Sequence, residues 1–303
     1  MTQLYWQVYM NLERELLGLA DAIYINDNQQ DVYSIRIADL LIRTVVEIEA
    51  LAKELYLANG GAEVPDEELF FDTVCMAYLD KLWNLDNKVV QVVSPNIYFE
   101  KEENRVLRPL HKASKRGTSS ADWNKAYQAV KHNRVKELSK GSLKHLLHGM
   151  AALYVLNLYY RDEKLTRLTN AEKDSADRSF GSSLFSIKIH KDRGLRADGV
   201  FTKGADYDEC VYIEDHEVTS KKVAMEAMTK MNNYVRIATF SKLKKLIEEK
   251  VSRGEQFTTE WIEEEKTKIN SKIFPIRDYA LAKQITDGLS QIRYDIVLNK
   301  QQY

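Results

Sequence analysis

Residues 32–58 contain the segment that most limits how this chain can fold. Ile37, Leu40, Leu41, Ile42, Val45, Val46, Ile48 and Leu51 surround a narrow polar stripe of Arg36, Asp39, Arg43, Glu47 and Glu54 at helical spacing. A helix that is apolar round most of its girth needs several others packed against it. Its neighbours supply them. Leu4, Val8, Leu12, Leu16 and Leu19 mark a helix over 3–22, ended by Asn26-Asp27-Asn28. Asn59-Gly60-Gly61 stops the 32–58 helix, and Pro65-Asp66 opens another over 67–84. Ser119-Ser120-Ala121-Asp122 reads as a capping box that starts a helix over 120–140, ended by Gly141. Ser142 starts a further helix over 142–162. Four or five helices before residue 165 are most simply buried as a bundle. With only 12 glycines and 4 prolines in 303 residues, the chain lacks the turn residues that an all-β fold needs.

The pattern changes after the bundle. Residues 84–118 read as irregular, with a strand-like Val89-Val90-Gln91-Val92-Val93, and the polar stretch 163–181 reads as a linker. Phe185, Ile187 and Ile189 then alternate with Ser186, Lys188 and His190, the period of a strand. A second strand is expected over Glu209 to Glu214, with Gly194, Gly199 and Gly204 in the turn region between. Helices are expected over 220–252, 259–271 and 278–299, with Met225, Met228 and Met231 as core residues. The fold class is therefore mostly α. A helical bundle over 1–165 is followed by a C-terminal α+β part over 180–303, with a small antiparallel sheet and long helices.

Several classes of function find no support. The longest apolar run, Gly149 to Tyr160, is too short for a bilayer, and the first residues carry no signal-peptide pattern. Cys75 and Cys210 form neither a metal pattern nor a disulfide framework, which together with the missing leader points to the cytoplasm. No glycine-rich phosphate loop or nucleophile elbow is present. His145 and His148 stand at metal-binding spacing without a third ligand nearby, so no metal or other cofactor is expected.

Charge, by contrast, is concentrated. The chain as a whole carries −1, yet nine Lys and Arg lie between His111 and His148 against only Asp122 and Glu137, a local +7. A phosphate-binding surface needs such a patch, although the same charges would also solubilise an exposed helix face. On a helical wheel Trp123, Tyr127, Val130 and Leu138 gather on the apolar side, while His132 points away from it, near Gln128, Ala129, Val135 and Lys136, with Lys125 further along. Arg43 and Glu47, a helical pair, must meet a partner or a cleft because unpaired burial is costly.

The segment Ile37 to Lys53 and the string Trp123-Asn124-Lys125-Ala126-Tyr127-Gln128-Ala129-Val130-Lys131-His132-Asn133-Arg134, followed by the apolar helix around Met150 to Tyr154, resemble prokaryotic proteins of the HEPN superfamily. That resemblance covers residues 1–165. It implies a helical bundle that dimerises and, in many members, a metal-independent ribonuclease of toxin–antitoxin, phage-defence or CRISPR systems. The family's usual motif has an arginine four to six residues before the histidine. Here Arg134 follows His132 instead, and the formal match of Arg105 with His111 spans Pro109 in an irregular segment. Two readings stay open. As an endoribonuclease, the chain would use His132 to take the 2′-OH proton. Arg134, Lys131 or Arg43 would face the phosphorane, with Glu47 in support. As a non-catalytic module, it would bind RNA or a protein through the helix over 120–140, with Lys125, Gln128, Lys131, Asn133 and Lys136 on RNA. The expected partners are RNA, a cognate antitoxin or defence protein, and a second copy of the chain, but no membrane.

Overall fold

A computed structural model of the chain describes residues 4–65, 67–191, 203–273, 276 and 278–303. The N-terminal helices are α1 (Leu4–Leu17), α2 (Ile35–Ala58), a π-helical turn Phe71–Met76 running into α3 (Ala77–Trp83), and the single turn α4 (Glu102–Arg105). Then come α5 (Asp122–His132), the short α6 (Arg134–Glu137) and α7 (Leu143–Arg161). Helix α7 is the axis. Every residue from Gly149 to Tyr159 is buried, with α1, α2 and α5 packed around it. Gly141 sits where a Cβ would come within 3.1 Å of Ala38 and 3.2 Å of Val130, so any larger residue would push α2 and α5 apart by a few tenths of an ångström there. None of the helices is long and apolar enough to cross a membrane, among the described residues.

The sequence reading of α2, α7 and Val90–Val92 agrees with the structure, but several other elements differ from it. The 120–140 helix is broken: α5 ends at His132, Asn133 leaves helical geometry, and α6 starts again at Arg134. Asn133 is the cause, because its side chain accepts from the Lys136 N–H and caps the new turn. No side chain caps α5; its N-cap is Ala121, so the expected capping box does not form. The polar 163–181 segment is structured and holds β5 (Leu165–Leu168) and α8 (Asn170–Asp174), the latter with a capping box of Thr169 and Glu172.

The alternating segment 185–190 serves two sheets. β6 (Phe185–Ile187) lies antiparallel to β2 (Val90–Val92), which also pairs with β4 (Val106–Leu107). β7 (Ile189–His190) runs parallel to β8 (Tyr212–His216). β1 (Ile25–Asn26) and β3 (Ile97–Tyr98) make a separate parallel pair. The C-terminal helices are α9 (Val218–Ser252), α10 (Thr259–Ser271) and α11 (Tyr279–Ser290). The last helix stops well short of residue 299. The chain instead ends in β9 (Tyr294–Leu298), inserted antiparallel between β8 and β5. The β-branched and aromatic run Tyr294-Asp295-Ile296-Val297-Leu298 gains a paired site on both edges, with Ile296 and Leu298 buried. Gly194 and Gly199 of the expected turn region lie outside the described residues. Among the methionines, Met225, Met228 and Met231 are half-buried, while the buried residues of that stretch are Ala224 and Ala227.

One hydrophobic core runs from Tyr9 of α1 through α2, α5 and α7 to Leu184, Phe185, Tyr212, Ile296 and Leu298. The strands therefore rest on the bundle rather than hanging from it. Glu13 of α1 makes that junction. It is 1% exposed and accepts from Tyr9 Oη at 2.7 Å, from the Ser183 and Leu184 N–H groups at 3.1 Å each, and from Ser182 Oγ.

Candidate nucleic-acid interface

Helix α5 is anchored by its apolar side. Trp123, Ala126, Tyr127 and Val130 are buried, and Trp123 Nε1 donates to the Pro109 carbonyl at 2.8 Å. That anchoring turns the opposite side outward. Lys125, Lys131, His132, Asn133, Arg134, Val135 and Lys136 are all exposed, Val135 to 96%. Lys125, Gln128 and His132 share one face, at i, i+3 and i+7.

The expected catalytic quartet is only partly assembled. Arg134 reaches back to Asp39 of α2 at 2.8 Å. Arg43 pairs with Glu15 of α1 at 2.8 Å rather than with Glu47. Asp39, Arg36, Arg43 and Glu15 line a common groove of about 620 Å³; Arg43 belongs to that lining, whereas Arg134 is tied to it only through Asp39. Glu47 is not a lining residue there. Burial raises its carboxyl above the usual range against the pull of Arg43, and its charge acts on Tyr5 of α1. The His132 side chain has no hydrogen bond or ion pair among the described residues.

Of the residues expected to bind RNA, Lys125 pairs with Asp122 at 2.5 Å, which holds that aspartate below its usual range. Lys131 donates to Tyr127 Oη at 3.1 Å and lies over the same ring. Asn133 is committed to capping α6. Lys136 is exposed.

Sequence reasoning missed the pocket beside this stripe. A cavity of about 650 Å³ lies between α2, the π-helical turn, the loop before α5 and α5 itself. Its lining includes Glu49, Phe71, Arg116, Asn124, Lys125 and Gln128. Asn124 is 3% exposed, and its Oδ1 has no hydrogen-bond partner, so a buried amide is left with unmet capacity at the pocket wall. Arg116 frames the opening. It grips the buried Asp72 through Nε and Nη2 at 3.1 and 2.8 Å and stacks 4.0 Å over Phe70. Burial raises the carboxyl of Glu49, although Lys131 and Tyr127 pull it down. Lys131 is not itself a lining residue, but its charge acts on Glu49 in the pocket wall. The only hint in the sequence was Asn124, a polar residue on the apolar side of the wheel; the other walls come from distant segments. In comparisons with known proteins, no family model, curated protein or solved structure matches this chain.

Proposed function

We propose that this chain is an RNA-directed protein whose N-terminal helices form a HEPN-like bundle, and that a single copy binds single-stranded RNA without cutting it. The observation that carries this reading is the shared face of Lys125, Gln128 and His132, which leads from the 650 Å³ pocket to the exposed basic run at the α5–α6 junction. Lys131, Arg134 and Lys136 would meet phosphates. An unstacked base would enter the pocket against Phe71 and the amides of Asn124 and Gln128, since single-stranded RNA is read by stacking and by hydrogen bonds to base edges.

Fluorescence anisotropy with a short labelled single strand and the matching duplex tests this. The single strand should bind more tightly. Replacing Lys131, Arg134 and Lys136 together by alanine should reduce the salt slope of log K by about 2, at roughly 0.7 per phosphate contact on single strands. Asn124→Leu should weaken binding by about tenfold while leaving the slope unchanged. A slope that does not move in the triple variant would refute the reading.

A second reading, cleavage, is favoured by the outward His132 beside the fully exposed Val135, a surface suited to a second copy. The exposed pairs Arg134–Asp39 and Arg43–Glu15 each contribute at most about 1 kcal/mol, so both arginines can be redirected in a dimer. In that reading His132 takes the 2′-OH proton while Arg134, Arg43 or Lys131 faces the phosphorane. Glu47 would act only in support. The chain would then be an endoribonuclease of a toxin or phage-defence system. Light scattering over a concentration series, with wild type and His132→Ala incubated on purified RNA, decides it. A strict monomer or no cleavage by wild type rules it out, and cleavage unchanged in His132→Ala rules out His132 as the base.

A further inference from the structure

We propose that His190, Asp206 and Cys210 form a zinc-binding site at the edge of the four-stranded sheet. This does not depend on the RNA reading. The three side chains bring an imidazole, a carboxylate and a thiol within 4.8 Å of one another. His190 and Cys210 are both fully buried, whereas Asp206 opens the site toward solvent. The His190 Nδ1 to Asp206 Oδ1 distance is 2.9 Å, and Cys210 Sγ lies 3.8 Å from Asp206 Oδ2. Zinc bonds of about 2.0–2.3 Å at tetrahedral angles set neighbouring ligands roughly 3.3–3.6 Å apart, between these two values. Small side-chain movements convert one arrangement into the other.

The backbone holds the turn that carries two of the three ligands, while the Gly204 N–H lies 3.4 Å from His190 Nε2, so the imidazole must bind zinc through one ring nitrogen and settle its tautomer at the other. Asp206 and Cys210 are one turn apart, with the Cys210 N–H donating to the Asp206 carbonyl at 3.2 Å, which places both side chains on one side of the turn. That turn is gripped from behind. Lys88 Nζ donates to the carbonyls of Asp208 and Cys210 at 3.1 and 3.0 Å, and Asn299 Nδ2 to those of Tyr207 and Cys210 at 2.6 and 3.1 Å. Lys88 and Asn299 are themselves fully buried. These clamps take up backbone carbonyls and leave the carboxylate and thiol to point at His190.

A thiolate with an imidazole and a carboxylate selects zinc over magnesium or calcium, which prefer all-oxygen shells. On binding, the Cys210 S–H bond breaks, its proton passes to solvent and an S–Zn bond forms. Thiolate and aspartate together neutralise the ion, and the fourth position is left to water. Such an ion would pin β7 to the turn that leads into β8.

The test uses the full chain after chelator treatment, titrated with zinc chloride and, separately, cobalt chloride. The expected result is one saturable equivalent of zinc, a higher melting temperature with zinc but not magnesium, and a cobalt–thiolate charge-transfer band. The chain has only two cysteines, so that band should survive Cys75→Ser and vanish in Cys210→Ser. Asp206→Asn preserves an acceptor for His190 and with it the fold, but should weaken zinc binding by more than roughly 100-fold, beyond what outer-shell changes produce. The absence of a saturable equivalent, or binding unchanged in both Cys210→Ser and Asp206→Asn, overturns the proposal. Should Cys210→Ser fail to fold, the cobalt spectra of wild type and Cys75→Ser, with the affinity of Asp206→Asn, decide alone.

Discussion

Glu13→Ala is expected to lower the free energy of unfolding by about 3–5 kcal/mol, because hydrogen bonds to a charged group contribute roughly 1.5–3 kcal/mol each and buried donors are left behind. The Ser183 and Leu184 N–H groups and the hydroxyls of Tyr9 and Ser182 all converge on this one carboxylate. Part of the loss is recovered locally. Tyr9 Oη and Ser182 Oγ lie 2.8 Å apart and can bond each other, and Ser182 Oγ already accepts from Leu184 N at 3.1 Å. The Ser183 N–H has no such substitute in the structure. Urea unfolding followed by tryptophan fluorescence measures the effect, since Trp6 stacks on Tyr9 at 4.9 Å. Glu13→Gln, which keeps an acceptor, should fall between wild type and alanine. Glu15→Ala is the contrast. It removes a carboxylate two residues away whose partner Arg43 is half exposed, and should cost less than about 1 kcal/mol. Equal losses in Glu13→Ala and Glu15→Ala would mean that the α1–β6 junction is not held as described.

Acidification should destabilise the protein well above the range where carboxylates titrate. Burial, reinforced by the charges of Lys144 and His145 and opposed by Asp122, pushes the His148 imidazole down to about 4. In the unfolded chain this group takes up a proton near pH 6.5, while in the folded chain it resists until about pH 4. Between those values the unfolded state binds more protons, so stability is lost as the pH falls. The loss is about 2 kcal/mol by pH 5 and about 3 kcal/mol in full, at 1.36 kcal/mol per pH unit. His145 is depressed by burial too and acts in the same direction. Glu47 and Glu49 are raised and act in the opposite one, favouring the folded state as they become protonated. Asp122 and Asp174 lie below the usual range and lose their contribution only at lower pH. Urea midpoints at pH 7 and pH 5, compared between wild type and His148→Gln, separate this histidine from the other groups. His148→Gln should remove about 2 kcal/mol of the difference between the two conditions, and an unchanged difference would show that His148 accepts its proton in the folded state.

The helical half was legible because its signals are local. The apolar periodicity of α2 and α7 and the alternation of Phe185, Ile187 and Ile189 report which side of an element is buried, and burial dominates the folding energy. The outward placement of His132 followed from the same wheel. The break at Asn133 was present in the sequence as an N-cap residue, but the basic residues on either side read equally well as continuous helix.

What the sequence determined by itself is the set of elements with a strong period, the apolar face of α5, and the concentration of positive charge between His111 and His148. Pairing across long sequence separations was decided only by the tertiary structure. Tyr294 to Leu298 became a strand because β5 and β8 offered it two open edges, an opportunity invisible within the segment. Arg43 turned to Glu15 because α1 packs against α2, and Arg134 reached Asp39 of α2 once the chain broke at Asn133. The pocket at Asn124 and the His190–Asp206–Cys210 cluster arise in the same way. Each gathers side chains from separate segments, and a one-dimensional pattern carries no record of which distant residues the core will bring together.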